Sequence, residues 1–395
     1  MASRVKPISL SNQFNYKENL KMQSTKNIKQ MNKRDLFYSV MRFESPGRTL
    51  ATLGGIWRST FQRWASEGMP KEFIGNIPGL IDYLGLERHL WAIPDAKLFT
   101  YPEFERKVLK ETDTSETYVN KYGIICTEFK KDAYLSMPHF EKFPVTSRSD
   151  WQEYKKLLKW DDNRIGQDWE NQKKQWLDRD LPLVIFLGAA GSLYGSLRDM
   201  MGVEPLSYAF YDDPAMIEDM MDTVVELFCK SVEVLFANFV PDVICLWEDI
   251  GYKTSTLLGA PQMRQFMLPR YKIMVKKLRE VGVPFIILDS DGYIDEVIPI
   301  WLEAGIDGVV PMEVQCGMDV AVYRDKYPRM LMFGGVDKKA LAHGPDAIDR
   351  EIEKLGKAIA KGGYVPWFDH GLPHDVSYKN FLYFVEKLKK VCGLE

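Results

Sequence analysis

From residue 181 to the last helical segment, short apolar runs alternate with longer stretches of helical periodicity. The apolar runs lie at 181–188, 242–249, 284–292, 307–313, 329–337 and 364–371 and are typical of buried strands. The helical stretches lie at 214–239, 261–282, 294–305, 348–363 and 378–391. Apolar strands that alternate with helices predict parallel βαβ units, in which helices cover the sheet.

Two weaker runs, at 48–55 and 85–95, raise the number of predicted strands to eight. Eight βα units predict an α/β fold, a closed (β/α)8 TIM barrel. The competing fold is an open, doubly wound sheet with GxGxxG after an early strand, and the GAAGSLYG that follows 181–188 does not match this motif. The stretch 122–140 alternates like a hairpin, and we interpret it as an insertion into the barrel.

The domain organisation follows from composition along the chain. Residues 1–33 are rich in Asn, Lys, Gln and Ser and have little apolar periodicity, which indicates a flexible N-terminal arm. Residues 34–395 contain neither an internal repeat nor a break in composition. They are therefore predicted to form a single catalytic barrel domain.

Charge, hydropathy and cysteine content argue against a nucleic-acid-binding, membrane-spanning or secreted protein. The formal net charge of −3 provides no electrostatic footprint for nucleic acid. No apolar run reaches the ~18 residues of a membrane span, and the first residues lack the apolar core of a secretory signal. We therefore expect a cytoplasmic protein. The five cysteines are scattered and form no CxxC pair, which argues against disulfides.

Acidic and histidine side chains collect where several predicted strands end, which is where a barrel carries its active site. Asp289 and Asp291 follow the fifth predicted strand, Glu313 follows the sixth, and His370 follows the eighth. Such a group would repel itself without a cation, and its oxygen and nitrogen donors suit catalytic zinc. The structural alternative is a helix cap at Asp289, an Asx turn at Asp291 and a loop contact at His370, and no HExxH motif decides between them.

Other candidate residues follow the remaining strands. Glu248 and Asp249 end the fourth predicted strand, where they are candidates, together with His370, for acid–base catalysis. The alternative for both acids is a buried pair with Arg or Lys. An aromatic pocket for the substrate is predicted from four side chains near strand ends, Trp57, Tyr194, Trp247 and Tyr252.

Several segments, taken in order, resemble the uroporphyrinogen decarboxylase superfamily over most of residues 32–395. They are VIFLGAAG, DVICLWEDIGY, FIILDSDGYIDEVIPIWLEAGIDGVVPMEVQCGMDV, MLMFGGVD and PWFDHGLPHDVSYKNFLYFVEKL. One branch of that superfamily decarboxylates a porphyrinogen without a metal. Its Gly-His-Gly turn is similar to Asp369-His370-Gly371, but its Arg-Gln-Ala-Gly-Arg turn corresponds here to Gly54-Gly55-Ile56-Trp57-Arg58. With one Arg, this turn would hold the carboxylates of a porphyrinogen poorly.

The other branch contains cobalamin-dependent methyltransferases that use zinc. Those acting on coenzyme M carry His-x-Cys after the fifth strand and Cys after the eighth, where this chain has Asp289, Asp291 and His370. Glu313 falls where that branch has an exchangeable carboxylate ligand. Because the thiolates are missing, an oxygen substrate is favoured over a thiol. The chain looks most like the aromatic O-demethylase methyltransferases.

The resemblance implies a mechanism and a partner. Zinc would bind the ether oxygen of a methoxylated aromatic compound, and cob(I)alamin would take the methyl group. The chain has no Asp-x-His-x-x-Gly motif, so the cobalamin would arrive on a separate corrinoid protein. Three alternatives remain open at this stage: a metal-free decarboxylase, a methyltransferase for methanol or a methylamine, and a binding protein without catalysis. A homodimer is also left open.

Overall fold

The computed structural model describes residues 31–45, 47–130 and 137–395. Apart from residues 31–33, the predicted flexible arm lies outside this part of the chain. The strands in chain order are β1 (Leu90–Ala92), β2 (Lys107–Glu111), β3 (Ser115–Val119), β4 (Ile125–Phe129), β5 (His139–Lys142), β6 (Leu183–Phe186), β7 (Val243–Trp247), β8 (Phe285–Asp289), β9 (Gly308–Val310), β10 (Leu331–Val336) and β11 (Tyr364–Phe368).

The helices surround the larger sheet. In chain order they are α1 (Lys33–Met41), α2 (Arg58–Ser66), α3 (Ile77–Tyr83), α4 (Arg148–Tyr154), α5 (Trp169–Leu177), α6 (Tyr194–Met201), α7 (Val203–Asp212), α8 (Pro214–Leu235), α9 (Ala260–Gln262), α10 (Leu268–Glu280), α11 (Ile298–Ala304), α12 (Val320–Lys326), α13 (Pro345–Ile359) and α14 (Tyr378–Val391). A π-helical turn, Met263–Met267, joins α9 to α10. Within the described ranges, none of the helices combines the length and apolar character needed to cross a membrane.

Seven parallel strands form a curled sheet in the order β1-β6-β7-β8-β9-β10-β11. Helices alternate with these strands and cover the outer face, as the apolar runs predicted. The sheet has the strand order of a TIM-like barrel, but its two edge strands, β1 and β11, are not paired with each other. The predicted α/β class is therefore confirmed, whereas the predicted closed ring of eight strands is wrong.

The missing strand is the first predicted one, because residues 48–55 form no strand. Ile56, just after them, forms an isolated bridge with Leu372. This segment does contact β11, because the hydroxyl of Thr49 donates to the carbonyl of Tyr364 at 2.6 Å. On its other side, however, the carboxylate of Glu87 accepts the N–H of Ala51 at 3.0 Å. The amide of Ala51 is thus bonded to a side chain, and residues 48–55 form no continuous ladder that would close the sheet.

The predicted hairpin is part of a larger unit. Strands β2 to β5 form a separate antiparallel sheet in sequence order, between β1 and β6 along the chain. The predicted stretch 122–140 covers β4 and the start of β5, which pair antiparallel with Cys126 opposite Phe140. All five cysteines lie among the described residues and are free, as expected.

Side chains inside the curled sheet form a core of their own. Alternate residues of the strands, such as Val243 and Cys245 of β7, belong to this inner cluster. Helix α1 contributes Phe37 and Val40 to the same cluster and so covers the amino-terminal end of the sheet. Because the amino-terminal end is covered and packed, the opposite end, where the strands finish, is left for ligands.

Candidate active site at the carboxyl ends of the strands

Three of the predicted metal ligands converge at the carboxyl ends of β8, β9 and β11. Asp291, Glu313 and His370 each offer a ligand atom, and these atoms lie within 4.8 Å of one another. Nε2 of His370 lies 3.1 Å from Oδ1 of Asp291. This hydrogen bond raises the pKa of His370 above its ordinary value, against the opposing effect of burial. The convergence that was predicted from the ends of separate strands is thus present.

Tight backbone packing holds this cluster in place. The loop after β7 crosses the loop after β8, where the backbones of Tyr252 and Tyr293 form a bridge. A side chain at Gly251 would collide with the carbonyl oxygen of Asp291, so the crossing requires glycine. One residue further, the N–H of Gly292 donates to Oε2 of Glu313 at 2.7 Å. The same loop therefore positions two members of the cluster.

Asp289, the fourth predicted ligand, lies outside the three-residue group. It is the last residue of β8, paired in register with Trp247, and so lies deeper than Asp291. Burial, followed by the negative charges of Asp291 and Asp249, raises the pKa of Asp289 to about 8. Its carboxyl group therefore carries a proton at neutral pH in the metal-free protein.

The three-residue cluster fits a zinc ion by its donor set. Two carboxylates and one imidazole supply oxygen and nitrogen, and the side chains of Asp291 and His370 are 50% and 32% exposed. Three protein ligands with solvent access match the pattern of catalytic zinc, which keeps one position open. In addition, Nδ1 of His370 is buried without a hydrogen-bond partner among the described residues. Nε2 contacts only the carboxylate of Asp291, a contact that a metal ion could replace.

One cysteine lies beside the cluster. Cys316, in the turn after Glu313, is partly buried. Burial and the neighbouring carboxylate of Glu313 raise the pKa of its thiol to about 11. The thiol is therefore protonated at neutral pH, and the group of three potential ligands contains no thiolate.

Glu248, a predicted acid–base residue, is completely buried and serves as an anchor for α6. Its two oxygens accept hydrogen bonds from the N–H groups of Leu193, Tyr194 and Gly195 and from the hydroxyls of Ser192 and Tyr271, at 2.7–3.1 Å. Free N–H groups at a helix amino terminus attract a carboxylate in this way. The catalytic role of Glu248 stays a prediction, but every contact it makes is that of a helix anchor.

Asp249 has a partner that sequence reasoning missed. Nη1 of Arg198, on α6, donates to the carbonyl of Asp249 at 2.8 Å and lies 3.4 Å from its carboxylate. The guanidinium group also lies 5.2 Å from the ring centroid of Trp247. Burial raises the pKa of Asp249, and the charge of Asp291 adds to this effect while Arg198 opposes it. No sequence signal distinguishes Arg198 from other helical arginines, because its partners lie on a distant strand.

The four predicted pocket aromatics have different environments. Trp57 and Tyr252 are exposed, and Trp57 packs against the backbone of Gly371, next to His370. Trp247 is half-buried beside Arg198. Tyr194 is buried within the outer core, where its hydroxyl has no hydrogen-bond partner in the described part of the chain. Three of the four are therefore accessible to a ligand.

A second aromatic group, which sequence reasoning missed, lines the inside of the sheet. Trp91 of β1 lies 6.1 Å from Phe186 and 6.2 Å from Trp367, measured between ring centroids. The imidazole of His89 stacks on Trp367 at 5.1 Å with an interplanar angle of 11°. The alternation of inward and outward residues along β1 and β11 was the signal that could have found them.

This architecture is that of an α/β barrel-type enzyme, with polar groups gathered where parallel strands end. The sequence model of the uroporphyrinogen decarboxylase (URO-D) family matches residues 128–391, which is more than half of the 395 residues. The chain belongs to the URO-D family, as the resemblance predicted. No curated protein is similar enough in sequence to count as a match.

Two solved structures are similar to this chain. One is a methyltransferase from Methanosarcina mazei, with a TM-score of 0.56 and 13% identity over 91% of this chain and 99% of that one. The other is a B12-independent methionine synthase from Shewanella sp. W3-18-1, with a TM-score of 0.35 and 13% identity over 73% of this chain and 74% of that one. At such identity the first likeness shows a shared fold, and the second is too remote to support any argument.

Proposed function

We propose that this protein transfers a methyl group from a methoxylated aromatic compound to the cob(I)alamin of a separate corrinoid protein. The observation that carries the proposal is the cluster of Asp291, Glu313 and His370 at the open end of the sheet. Its donors are oxygen and nitrogen, which suit a site that acts on an oxygen substrate better than one that activates a thiol. The corrinoid protein would dock over this open end.

The proposed roles of the residues follow from their positions. Asp291, Glu313 and His370 would hold a zinc ion, which when bound supplies a Lewis acid for the ether oxygen of the donor. Asp249 and Arg198 form one wall beside this cluster, and the guanidinium group of Arg198 also lies next to the ring of Trp247. Exposed Trp57 and Tyr252 provide ring surfaces at the rim that would exclude water from the bound substrate.

A second candidate function is the decarboxylation of a carboxylated substrate without a metal. The match to the URO-D family favours it. The acid-rich opening, with Asp249 and Asp291, disfavours it because these carboxylates repel a substrate with several carboxylates of its own. Metal content separates the two candidates, since only methyl transfer requires zinc.

The experiment combines a metal assay with a panel of donors. Purified protein is expected to contain stoichiometric zinc and to methylate a reduced corrinoid protein from methoxybenzenes, but not from methanol or methylamines. The variant His370→Ala should lose both zinc and methyl transfer while its circular dichroism is unchanged. His374→Ala, an exposed histidine four residues further along the chain, is the matched control and should retain both.

Three results would contradict the proposal. The first is protein without divalent metal that gains no activity when zinc is added. The second is equal methylation from methanol and from a methoxybenzene, which would exclude an aromatic donor site. The third is an unfolded His370→Ala variant, which would assign His370 to the fold.

A further inference from the structure

Several aromatic side chains face the interior of the curled sheet, and one of them is partly exposed. Leu90 and Ala92 of β1 pack against the outer core, so Trp91 between them faces inward. There it meets Phe186 and Trp367, both part of the inner cluster, yet 40% of its surface is exposed. An inward-facing tryptophan with this exposure borders an accessible recess. We call the space bounded by Trp91, Phe186 and Trp367 the inner recess.

His89 contributes the polar group of the inner recess. Its ring stacks on Trp367, and its Nδ1 lies 3.2 Å from the hydroxyl of Thr52. Nε2 has no hydrogen-bond partner among the described residues, although the side chain is only half-buried. The surrounding protein lowers the pKa of His89 below its ordinary value, so the imidazole is neutral at physiological pH. A neutral imidazole offers a hydrogen bond at Nε2 but no charge.

We propose that the inner recess holds the aromatic ring of the substrate and that His89 selects rings carrying an uncharged hydroxyl group opposite the methoxy group. This inference rests on the proposed methyl transfer and narrows its substrates to methoxyphenols. The hydroxyl would bond to Nε2 of His89 and the exposed part of Trp91 would contact the ring, while buried Trp367 supports the imidazole. A carboxylate at the same place would be buried beside a neutral ring, without a counter-charge.

The position of the inner recess relative to the cluster supports this orientation. Trp367 precedes His370 by three residues on β11 and its continuation, a span of at most ~11 Å. A substituted benzene ring with its methoxy oxygen at the cluster would extend inward, toward Trp367. The methyl group is then left at the open end of the sheet, where a corrinoid protein has access.

The charges around the opening support an uncharged substrate. Asp249 and Asp291 lie there, and the guanidinium group of Arg198 is already engaged by Asp249. These carboxylates would repel an anionic ring. The same surroundings do not penalise a neutral phenol.

The test is equilibrium binding of three ligands to zinc-loaded protein, measured by calorimetry without a corrinoid protein. The ligands are 4-methoxyphenol, 4-methylanisole and 4-methoxybenzoate, which differ only in the group opposite the methoxy group. We expect 4-methoxyphenol to bind about tenfold tighter than 4-methylanisole, the equivalent of one hydrogen bond, and 4-methoxybenzoate to bind weakest.

Two variants assign the effect to the inner recess. His89→Phe keeps a ring against Trp367 and should abolish the difference between 4-methoxyphenol and 4-methylanisole. Trp91→Ala should weaken the binding of both by about tenfold or more, because it removes ring contact area. Tyr208→Ala, at an exposed aromatic residue outside the inner recess, is the control and should leave all three affinities unchanged.

The outcomes distinguish this inference from the proposed function. The inference is overturned if 4-methoxybenzoate binds tightest, if His89→Phe preserves the hydroxyl preference, or if none of the three compounds binds. If the binding results are as expected but no corrinoid protein is methylated, the inner recess is supported and methyl transfer is contradicted. If methylation proceeds equally well in Trp91→Ala, methyl transfer is supported and the inner recess is overturned.

Discussion

The acidic residues around the opening differ in protonation and in hydrogen bonding because their surroundings differ. Glu248 accepts five hydrogen bonds and stabilises the start of α6. Asp289 is enclosed near other carboxylates, and burial raises its pKa to about 8. Asp291 is half-exposed and in contact with His370. Three chemically similar carboxyl groups thus have three different roles, as a helix anchor, as a protonated acid and as a potential metal ligand, because each has different neighbours.

Asp199, on α6 and outside the three-residue cluster, allows a test of how burial shifts the pKa of a carboxyl group. Burial raises its pKa to about 6; Arg198 opposes the shift and Asp249 adds to it. A carboxyl whose pKa is raised on folding contributes stability below its ordinary pKa and loses it as pH rises through 6. Asp199→Asn is therefore expected to be more stable than the unmodified protein at about pH 8, by at most ~3 kcal/mol.

Thermal unfolding at about pH 5 and pH 8 measures this effect. The stability gain of Asp199→Asn should shrink at the lower pH, where Asp199 is mostly protonated. Asp375→Asn, at an exposed position, is the control and should show little change at either pH. A gain of equal size at both pH values would show that ionisation of Asp199 is not its cause.

At the scale of elements, the loops after β7 and β8 are built as one unit. Ser290 accepts the N–H of Ile250 at 3.1 Å, and the backbones of Tyr252 and Tyr293 form a bridge. Gly251 and Gly292 lie where the two loops touch, and neither position has room for a side chain. The position of Asp291 therefore depends on a loop that belongs to the preceding strand.

Gly251→Ala is expected to damage the cluster through this crossing. The added methyl group would collide with the carbonyl of Asp291 and displace the loop, lowering zinc affinity by about tenfold or more while the secondary structure is kept. Gly259→Ala, in the same connection, is the control because its methyl group would meet only Gln262 and Pro261, at 3.1 and 3.6 Å. Zinc titration with circular dichroism checks both, and equal affinities would refute the coupling.

At the scale of the whole molecule, α1 ties the amino-terminal end of the sheet together. The hydroxyl of Tyr38 donates to Asp242, just before β7, at 2.8 Å, and Asp242 also accepts the N–H of Leu183 at 2.9 Å. Phe37 projects into the inner cluster, with its ring 6.1 Å from that of Phe285. The helix thereby supports the strands whose opposite ends carry the candidate site.

Phe37→Ala is expected to lower the free energy of unfolding by about 3–5 kcal/mol, since it leaves a cavity where α1 covers the sheet. Ile273→Ala, at an exposed position on α10, should change it by no more than about 0.5 kcal/mol. Chemical denaturation of the three proteins measures both values. A small effect of Phe37→Ala would mean that α1 contributes little to the stability of the sheet.

Most elements from β6 to α14 could be predicted from the sequence, because periodicity is a local property, but α6, α7 and α12 were not predicted. The predicted helix at 214–239 corresponds to α8, and the run at 284–292 contains β8. The meeting of Asp291, Glu313 and His370 was also predictable, since the ends of parallel strands share one edge of a sheet. The stretch 48–55 is apolar, as a buried strand would be, but it forms no strand. The N–H of Ala51 instead donates to the side chain of Glu87, more than thirty residues away.

The sequence by itself determined the order of strands and helices, the family and the edge at which the polar groups collect. Tertiary structure decided which partner each of these groups finds. Glu248 accepts hydrogen bonds from the start of α6, Arg198 donates to Asp249, and His89 stacks on Trp367 in the inner recess. The physical reason is that periodicity reports only which face of an element is apolar. The partner that a buried polar atom finds, and with it the atom's charge, depends on residues that folding brings from distant parts of the chain.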